Sequence, residues 1–170
     1  MIFVTVGTHE QPFNRLIEAV DNLCETGAID EPVIMQIGYS TYEPKHCEWY
    51  RLLPYDQMKA NVANAHIVIT HGGPASFIMP LQIGKIPVVV PRQLQFDEHV
   101  NNHQVDFVQA VASRMNNIIP VYDIAQLGDT IQGYDEIVGS MANGDLHTHN
   151  IQFNTDLEKI VANMFEEKES

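Results

Sequence analysis

Two kinds of apolar pattern alternate along the first 132 residues of the chain. Short runs rich in β-branched residues are typical of strands in a parallel sheet, and apolar residues at helical spacing are typical of the helices that cover it. The predicted strands span residues 2–6, 33–37, 48–53, 67–70, 88–90 and 118–121. One predicted helix starts at residue 12, and others span 54–64, 74–83, 96–115 and 123–132, with Val100, Val105, Phe107, Val108 and Val111 forming the apolar face of 96–115. This alternation predicts an α/β fold, a Rossmann-like doubly wound parallel sheet.

The 170 residues are enough for one well-cored domain and short for two. We therefore predict a single domain over residues 1–170, with its core in 1–132. Residues 133–150 are rich in Gly, Asn, Asp and His and are expected to form a loop, and 151–165 are expected to form a last helix. The apolar stripe of that helix has two interpretations, a docking face for a partner or a cover for the chain's own sheet; it consists of Leu157, Ile160, Val161, Met164 and Phe165.

The net charge of the chain disfavours two classes of binding partner. Nine Lys and Arg against 22 Asp and Glu give a formal net charge of −13. This argues against a non-specific nucleic-acid binder and against a polybasic membrane patch. Cys24 and Cys47 have no metal-binding or redox spacing, and we expect free thiols in a reducing compartment. The first residues lack a basic region and are expected to form a strand, not a signal peptide, so we expect a cytoplasmic protein.

A glycine motif after the fourth predicted strand carries the strongest functional signal. His71, Gly72 and Gly73 end the strand, and Pro74 and Ser76 open the following helix. The glycines allow close approach of a ligand, and Pro74 suits a first helical position because it has no N–H to lose. Free N–H groups at a helix start attract anions, so the motif predicts a phosphate-binding turn.

Two more loops follow predicted strands. In residues 7–11, Gly7 and Thr8 are placed to contact a phosphate, although a Gly-Thr pair after a strand is more often an ordinary turn. In residues 91–102, a dense polar cluster is suited to hydrogen bonding with vicinal sugar hydroxyls, or its acids favour the positive end of a helix dipole. That cluster comprises Asp97, Glu98, His99, Asn101 and Asn102, with His103 next to it.

Several common sites are missing from the sequence. There is no HExxH motif, no cysteine set with metal spacing and no Asp-x-Asp pair, so no metal site is predicted. The sequence contains no GxSxG elbow and no GxxxxGK[ST] loop, and no GxGxxG follows the first strand. Hydrolase, P-loop and dinucleotide-dependent enzyme classes are therefore disfavoured.

With these motifs in view, the chain resembles the carboxyl-terminal, donor-binding half of GT-B glycosyltransferases of family 28. The likeness lies in the segments 71–76 (HGGPAS), 84–92 (GKIPVVVPR) and 97–102 (DEHVNN). The opening segment 4–16 (VTVGTHEQPFNRL) is similar to a branch of short subunits of two-component enzymes. That branch includes the cytosolic subunit of the dolichol-linked N-acetylglucosamine transferase and β-1,4-galactosyltransferase subunits of bacterial capsule and exopolysaccharide clusters.

The resemblance implies a single GT-B half-domain that binds a UDP-sugar as substrate, without a metal or other cofactor. It implies a metal-independent, inverting transfer of a hexose, with galactose favoured, from UDP-hexose to a lipid-linked saccharide in polysaccharide biosynthesis. The acceptor-binding half then comes from a membrane-anchored partner subunit, which holds this chain at the inner face of the membrane. Self-association of the chain stays open.

The resemblance also implies roles for individual residues. The diphosphate is expected to lie among His71, Gly72, Gly73 and Ser76, facing Gly7 and Thr8. The sugar hydroxyls are expected to meet Asp97 and Glu98, with Asn101 and Asn102 behind them. Arg92 or Arg15 is a candidate to neutralise phosphate, and His9 and Glu10 are candidates for the general base that deprotonates the acceptor.

One departure from the family pattern bears on function. Many members carry a glutamate in the helix after the glycine turn, where it binds the ribose hydroxyls. Here the matching position is Met79 or a neighbour, and no acid lies between Ser76 and Gly84. Ribose recognition then differs or donor affinity is weak without a partner, or the chain is a non-catalytic subunit that regulates or stabilises a glycosyltransferase.

Overall fold

The computed structural model describes residues 1–141, which form alternating strands and helices. The strands are β1 (Ile2–Thr5), β2 (Val33–Gln36), β3 (Glu48–Tyr50), β4 (Ile67–His71), β5 (Val88–Val90) and β6 (Ile119–Pro120). The helices are α1 (Asn14–Glu25), α2 (Tyr55–Asn64), α3 (Pro74–Gln82), α4 (His103–Met115), α5 (Leu127–Gln132) and α6 (Tyr134–Met141). Short 3₁₀ turns cover Leu94–Phe96 and Ile124–Gln126.

The six strands form one parallel sheet in the order β3-β2-β1-β4-β5-β6. Within it β1 lies between β2 and β4, so that Val4 pairs with Met35 on one side and Ile69 on the other. This is the doubly wound Rossmann order, and it confirms the predicted fold class. The chain leaves β1 and β4 toward opposite edges of the sheet. A crevice at their carboxyl ends is therefore where this fold places ligands.

Both faces of the sheet are covered by helices, and side-chain alternation along β1 shows how. Ile2 and Val4 belong to a core shared with α1, α5 and α6, whereas Phe3 packs on the opposite face with Val62 of α2. On that same face, residues of β5, α3 and α4 form a further cluster: Val89, Phe77, Leu81, Phe107, Val108 and Val111. A parallel sheet buried on both faces needs the near-continuous apolar strands found here.

The helix predicted over residues 96–115 is shorter in the structure. It begins at His103, and the residues before it form a polar loop in which Asp97 adopts the left-handed conformation with φ 56°. The Asn101 side chain accepts the backbone N–H of His103, which stops the helix from extending backwards. Val100, expected on the apolar face, is 70% exposed. The helical prediction for residues 96–102 is therefore wrong, because local side-chain hydrogen bonds outweigh the apolar spacing.

The loop expected over residues 133–150 also differs where the structure describes it. Tyr134–Met141 form α6, and the Tyr134 side chain is buried, with its hydroxyl donating to the carbonyl oxygen of Ile86 at 2.6 Å. Tertiary packing of one aromatic residue thus overrides a composition typical of loops. The helix expected over 151–165 lies outside the described residues.

A cluster of charged side chains joins α6 to the amino ends of the strands. We expect it to make the stability of the protein depend on pH. His66 Nδ1 lies 3.0 Å from a Glu31 carboxylate oxygen and its Nε2 lies 2.7 Å from Asp135. The hydrogen bond to Asp135, and then that to Glu31, raise the pKa of His66 above its ordinary 6.5. This stabilising contribution is fully present below the unfolded-state pKa and is lost as the pH rises through the folded-state value. We expect the midpoint of urea denaturation to fall as the pH rises from the ordinary pKa of 6.5 through the raised folded-state value.

The variant His66→Gln should remove that part of the pH dependence. His103→Gln, which changes an exposed histidine at the start of α4, is the matched control and should leave it in place. An unchanged pH profile in His66→Gln would contradict the assignment.

Candidate functional site

A cleft of about 870 Å³ opens at the carboxyl ends of β1 and β4, where the doubly wound order places it. Its polar side is built from the loop after β1 and from the turn that joins β4 to α3. Most of the residues predicted to surround a diphosphate meet here. The predicted residues that line the cleft are Gly7, Thr8, His9, Glu10, His71, Gly73 and Ser76.

The opposite side of the cleft is largely apolar. It is formed by the segment after β3 and by the facing sides of α2 and α3, with Leu52, Leu53, Tyr55, Met58, Val62 and Met79. Met79 thus faces the cleft from α3. The Gln36 side chain lines the floor, where its oxygen accepts the Leu53 backbone N–H and its amide donates to Thr5. The cleft therefore has one anion-attracting side and one side suited to flat or apolar groups.

The amino end of α3 forms the anion-attracting side. The helix begins at Pro74 after Gly73, and the predicted proline-initiated helix is confirmed. No side chain caps this end, and no acidic residue lies in the first turn of α3. The partial positive charge of the helix start is therefore directed at the cleft. A Cβ at Gly73 would lie 2.3 Å from the His71 ring, so only glycine allows the turn to pass this close.

His71 and Ser76 form a hydrogen-bonded pair in the wall of the cleft. The distance from His71 Nε2 to Ser76 Oγ is 2.8 Å, and the ring is 6% exposed. Burial, and then the charge of Arg92, lower the pKa of His71 to about 3. The ring is therefore neutral at physiological pH, and it acts as a hydrogen-bonding group and not as a cation.

The predicted phosphate ligand Arg92 has a different position in the structure. Its side chain is 0% exposed and does not line the cleft. The guanidinium donates to the carbonyl oxygens of Val6 and Gln11 at 2.7 Å and of Glu98 at 3.1 Å. Burial lowers its pKa to about 10, partly opposed by Glu98, so it stays charged at neutral pH. Arg92 thus joins the loops that follow β1 and β5, and it supports the cleft from behind.

Glu98, predicted to read sugar hydroxyls, is 3% exposed. Its two carboxylate oxygens accept the Nε and Nη2 groups of Arg15 at 2.9 and 3.0 Å, and one also accepts the backbone N–H of Gln93. Such a bidentate pair is strong and leaves little hydrogen-bonding capacity for a ligand. The structure therefore places Glu98 and Arg15 in the support of the β5 loop and outside the cleft wall.

The remaining predicted residues lie at or behind the rim. The Asp97 side chain is exposed, and its carbonyl oxygen accepts the Gln11 side-chain amide at 3.2 Å. Asn101 accepts the backbone N–H of His103 at the start of α4, Asn102 accepts that of Leu94, and neither lines the cleft. The Gly72 N–H donates to the buried Gln104 side chain at 3.1 Å. In this arrangement the 97–102 loop braces the site and does not enter it.

The two candidate bases lie together on the loop after β1. Glu10 is exposed at the cleft, and His9 is half-buried with its ring stacked on His99 at 4.5 Å between centroids. His9 Nε2 faces the Gln11 side-chain oxygen at 2.8 Å, and the Gln11 amide group is turned toward Asp97. Since Gln11 presents an oxygen, Nε2 of a neutral His9 carries the proton and Nδ1 is the basic nitrogen.

Sequence reasoning missed Gln104, which lines the cleft and is buried. The sequence does contain a signal that Gln104 is buried. In α4, Gln104 falls on the same helical face as Phe107, Val108 and Val111, which are buried. A polar residue on an otherwise apolar stripe must hydrogen-bond inside the protein. The apolar wall at residues 52–62 carries no comparable local signal.

Two negative findings apply to residues 1–141. No group of three or more His, Cys, Asp and Glu side chains is placed to hold a metal ion there. None of the helices in this part of the chain is long and apolar enough to cross a membrane.

Comparison with solved structures shows the same fold in glycosyltransferases. The glycotransferase of kitacinnamycin aligns with a TM-score of 0.60 and 18% identity, over 98% of this chain and 42% of the other. The calicheamicin glycosyltransferase CalG4 gives 0.55 and 17%, over 99% of this chain and 42% of the other. SnogD from Streptomyces nogalater gives 0.54 and 13%, over 94% of this chain and 40% of the other. The chain thus corresponds to somewhat less than half of each of these proteins.

Sequence comparison also finds glycosyltransferases. The UDP-N-acetylglucosamine transferase subunit ALG13 of Homo sapiens is 34% identical in an alignment of 117 residues, and the match covers 64% of this chain and 10% of the human protein. The profile of the family described as the glycosyltransferase family 28 C-terminal domain matches residues 1–132. The resemblance seen in the motifs is confirmed, and the chain belongs to the glycosyltransferase family 28 C-terminal domain family.

Proposed function

We propose that this chain is the donor-binding subunit of a glycosyltransferase that uses a UDP-sugar. The observation that carries the proposal is the cleft at the ends of β1 and β4, where the amino end of α3 and the Ser76 hydroxyl face a glycine-bounded space. Family membership and the name of the human relative, a UDP-N-acetylglucosamine transferase subunit, support the same donor class.

The proposed chemistry uses the anion-attracting side of the cleft. Departure of UDP from the sugar develops negative charge on the diphosphate oxygens. The dipole of α3 and the backbone N–H of Ala75 in its first turn stabilise that charge, and the Ser76 hydroxyl adds a hydrogen bond. In this proposal these groups supply the stabilisation that a metal ion gives in other transferases. The transfer is proposed to be inverting, with the acceptor attacking from the side opposite UDP.

We propose that the transferred sugar is a hexose, with galactose favoured by the opening segment 4–16. The proposed acceptor is a lipid-linked saccharide in the synthesis of a capsule or exopolysaccharide. His9, through Nδ1, or Glu10 is the proposed general base for the acceptor hydroxyl, because both residues line the cleft. Asp97 and Asn101 do not line the cleft, so the proposal gives them no contact with the sugar.

The acceptor-binding half is proposed to come from a partner subunit anchored in the membrane. The chain covers 40 to 42% of the solved glycosyltransferases that share its fold, and the human relative is itself named as a subunit. With such a partner, a cytoplasmic chain would work at the inner face of the membrane.

A second candidate function is a non-catalytic subunit that stabilises or regulates the transferase. The observation in its favour is that α3, which lines the cleft through Met79, carries no acid between Ser76 and Gly84, the stretch where the family resemblance implies a ribose-binding carboxylate at Met79 or a neighbour. The two functions differ in one property, whether this chain binds the nucleotide.

Calorimetric titration with UDP and with UDP-hexoses separates the two. We expect the full chain to bind UDP, and Ser76→Ala to weaken binding by roughly tenfold or more, because the proposed hydrogen bond from the Ser76 hydroxyl in the cleft to a charged phosphate is lost. Ser113→Ala, on the exposed side of α4, is the matched control and should bind as the wild type does. Absence of UDP binding, both alone and with the partner, would favour the regulatory function.

A further inference from the structure

The orientation of the Gln104 side chain is fixed by two backbone groups. Its Oε1 lies 3.1 Å from the backbone nitrogen of Gly72 and 3.0 Å from that of Arg92. Both groups are N–H donors, so the atom that faces them must be the amide oxygen. The amide nitrogen consequently points the other way, and Gln104 is buried among these contacts.

The Gln104 amide nitrogen faces the His71 ring. The distance from its Nε2 to His71 Nδ1 is 3.2 Å, and the backbone N–H of Gly73 donates to the same Nδ1 at 3.2 Å. Two donors directed at one nitrogen require that this nitrogen carries a lone pair. The single proton of the neutral ring must then be on Nε2, which lies 2.8 Å from Ser76 Oγ.

We infer that Gln104 is a positioning residue that holds His71 in the Nε2–H tautomer, so that the Ser76 hydroxyl proton is directed to an acceptor in the cleft. Ser76 Oγ accepts the ring proton and keeps its own proton for a ligand. In the other tautomer, Ser76 would donate to the bare Nε2 and present only lone pairs to an anion. The inference rests on the proposed function in one respect, since the acceptor in the cleft is a phosphate oxygen of UDP.

The direct test is the protonation state of His71 in the full chain, read from long-range ¹H–¹⁵N correlations of ¹⁵N-histidine-labelled protein. The signal is assigned by its loss in His71→Gln. We expect a proton on Nε2 and a bare Nδ1 at neutral pH. A proton on Nδ1 in the wild-type protein overturns the inference, whatever UDP does.

The variant Gln104→Glu tests the link to ligand binding. A carboxylate still accepts the N–H groups of Gly72 and Arg92, but its second oxygen attracts a proton to His71 Nδ1 instead of donating to it. At high pH, where the ring holds one proton, UDP affinity should fall roughly ten- to hundredfold. It should recover as the pH falls and Nε2 regains a proton. A loss of affinity that does not vary with pH beyond the wild-type profile overturns the inference.

Two controls separate positioning from simple damage. Gln109→Glu adds the same charge to the exposed side of α4 and should leave UDP affinity and the His71 tautomer unchanged. In a Ser76→Ala background, Gln104→Glu should cause little further loss, because the group through which it acts is already absent. Equal losses in both backgrounds overturn the inference. If the wild type shows Nε2–H but no UDP binding, the proposed function fails while the tautomer assignment stands.

Discussion

Gly7→Ala is expected to reduce UDP affinity by roughly a hundredfold, the largest effect on binding predicted for a single methyl group. Gly7 has φ 74°, a conformation that costs a residue with a side chain about 1–2 kcal/mol. Its added Cβ would also lie 2.3 Å from His71 Nε2. The ring must move, and its hydrogen bond to Ser76 breaks. Calorimetry with UDP measures the loss.

Gly27→Ala is the matched control for this substitution. Gly27 has φ 78°, nearly the same strain, but nothing lies within 4 Å of an added Cβ. We expect it to lower the free energy of unfolding by about 1–2 kcal/mol and to leave UDP binding intact. Equal affinities for UDP in the two variants would show that contact with His71 is not what matters at Gly7.

Arg92→Met is expected to lower the free energy of unfolding by roughly 3 kcal/mol, the largest stability effect predicted here. Methionine preserves much of the side-chain volume but removes the donors to the carbonyl oxygens of Val6, Gln11 and Glu98. These three oxygens belong to two different loops, so the loop that carries the candidate bases also loses its attachment. Urea denaturation at neutral pH measures the change.

Arg114→Met is the control, because Arg114 is exposed in the last turn of α4. A change within about 0.5 kcal/mol is expected there. If Arg92→Met keeps wild-type stability but binds UDP much less tightly, Arg92 contacts the ligand after all, and its assignment as a support is wrong.

The sheet and the glycine turn were predictable because their signals are local. Strand runs, the His71-Gly72-Gly73 turn and the helix start at Pro74 depend on backbone requirements that a few neighbouring residues express. The strand order then determines where the cleft lies. Ligands in this fold bind at the carboxyl ends of the two adjacent strands, here β1 and β4, from which the chain continues in opposite directions. The glycine turn and the start of α3 therefore form the part of the candidate site that the sequence predicted.

Charged residues were harder to place, because their roles depend on burial. Arg92 and Glu98 carry groups that suit phosphates and sugars, yet the fold turns both inward, where they contact Arg15 and backbone carbonyls. Nothing in the spacing of residues 91–102 distinguishes a charge that faces a ligand from one that braces a loop. The helix predicted to begin at residue 96 begins at His103 instead. The Asn101 side chain accepts the His103 backbone N–H, and this hydrogen bond stops the helix from extending toward residue 96.

The most direct test of the diphosphate-binding cleft is a crystal structure of the full chain with UDP. We expect the diphosphate to lie within about 3 Å of Ser76 Oγ and of the Ala75 backbone nitrogen in the first turn of α3, between Gly7 and Gly73. UDP bound elsewhere, with this cleft left to solvent, would contradict the proposal that these residues bind the donor.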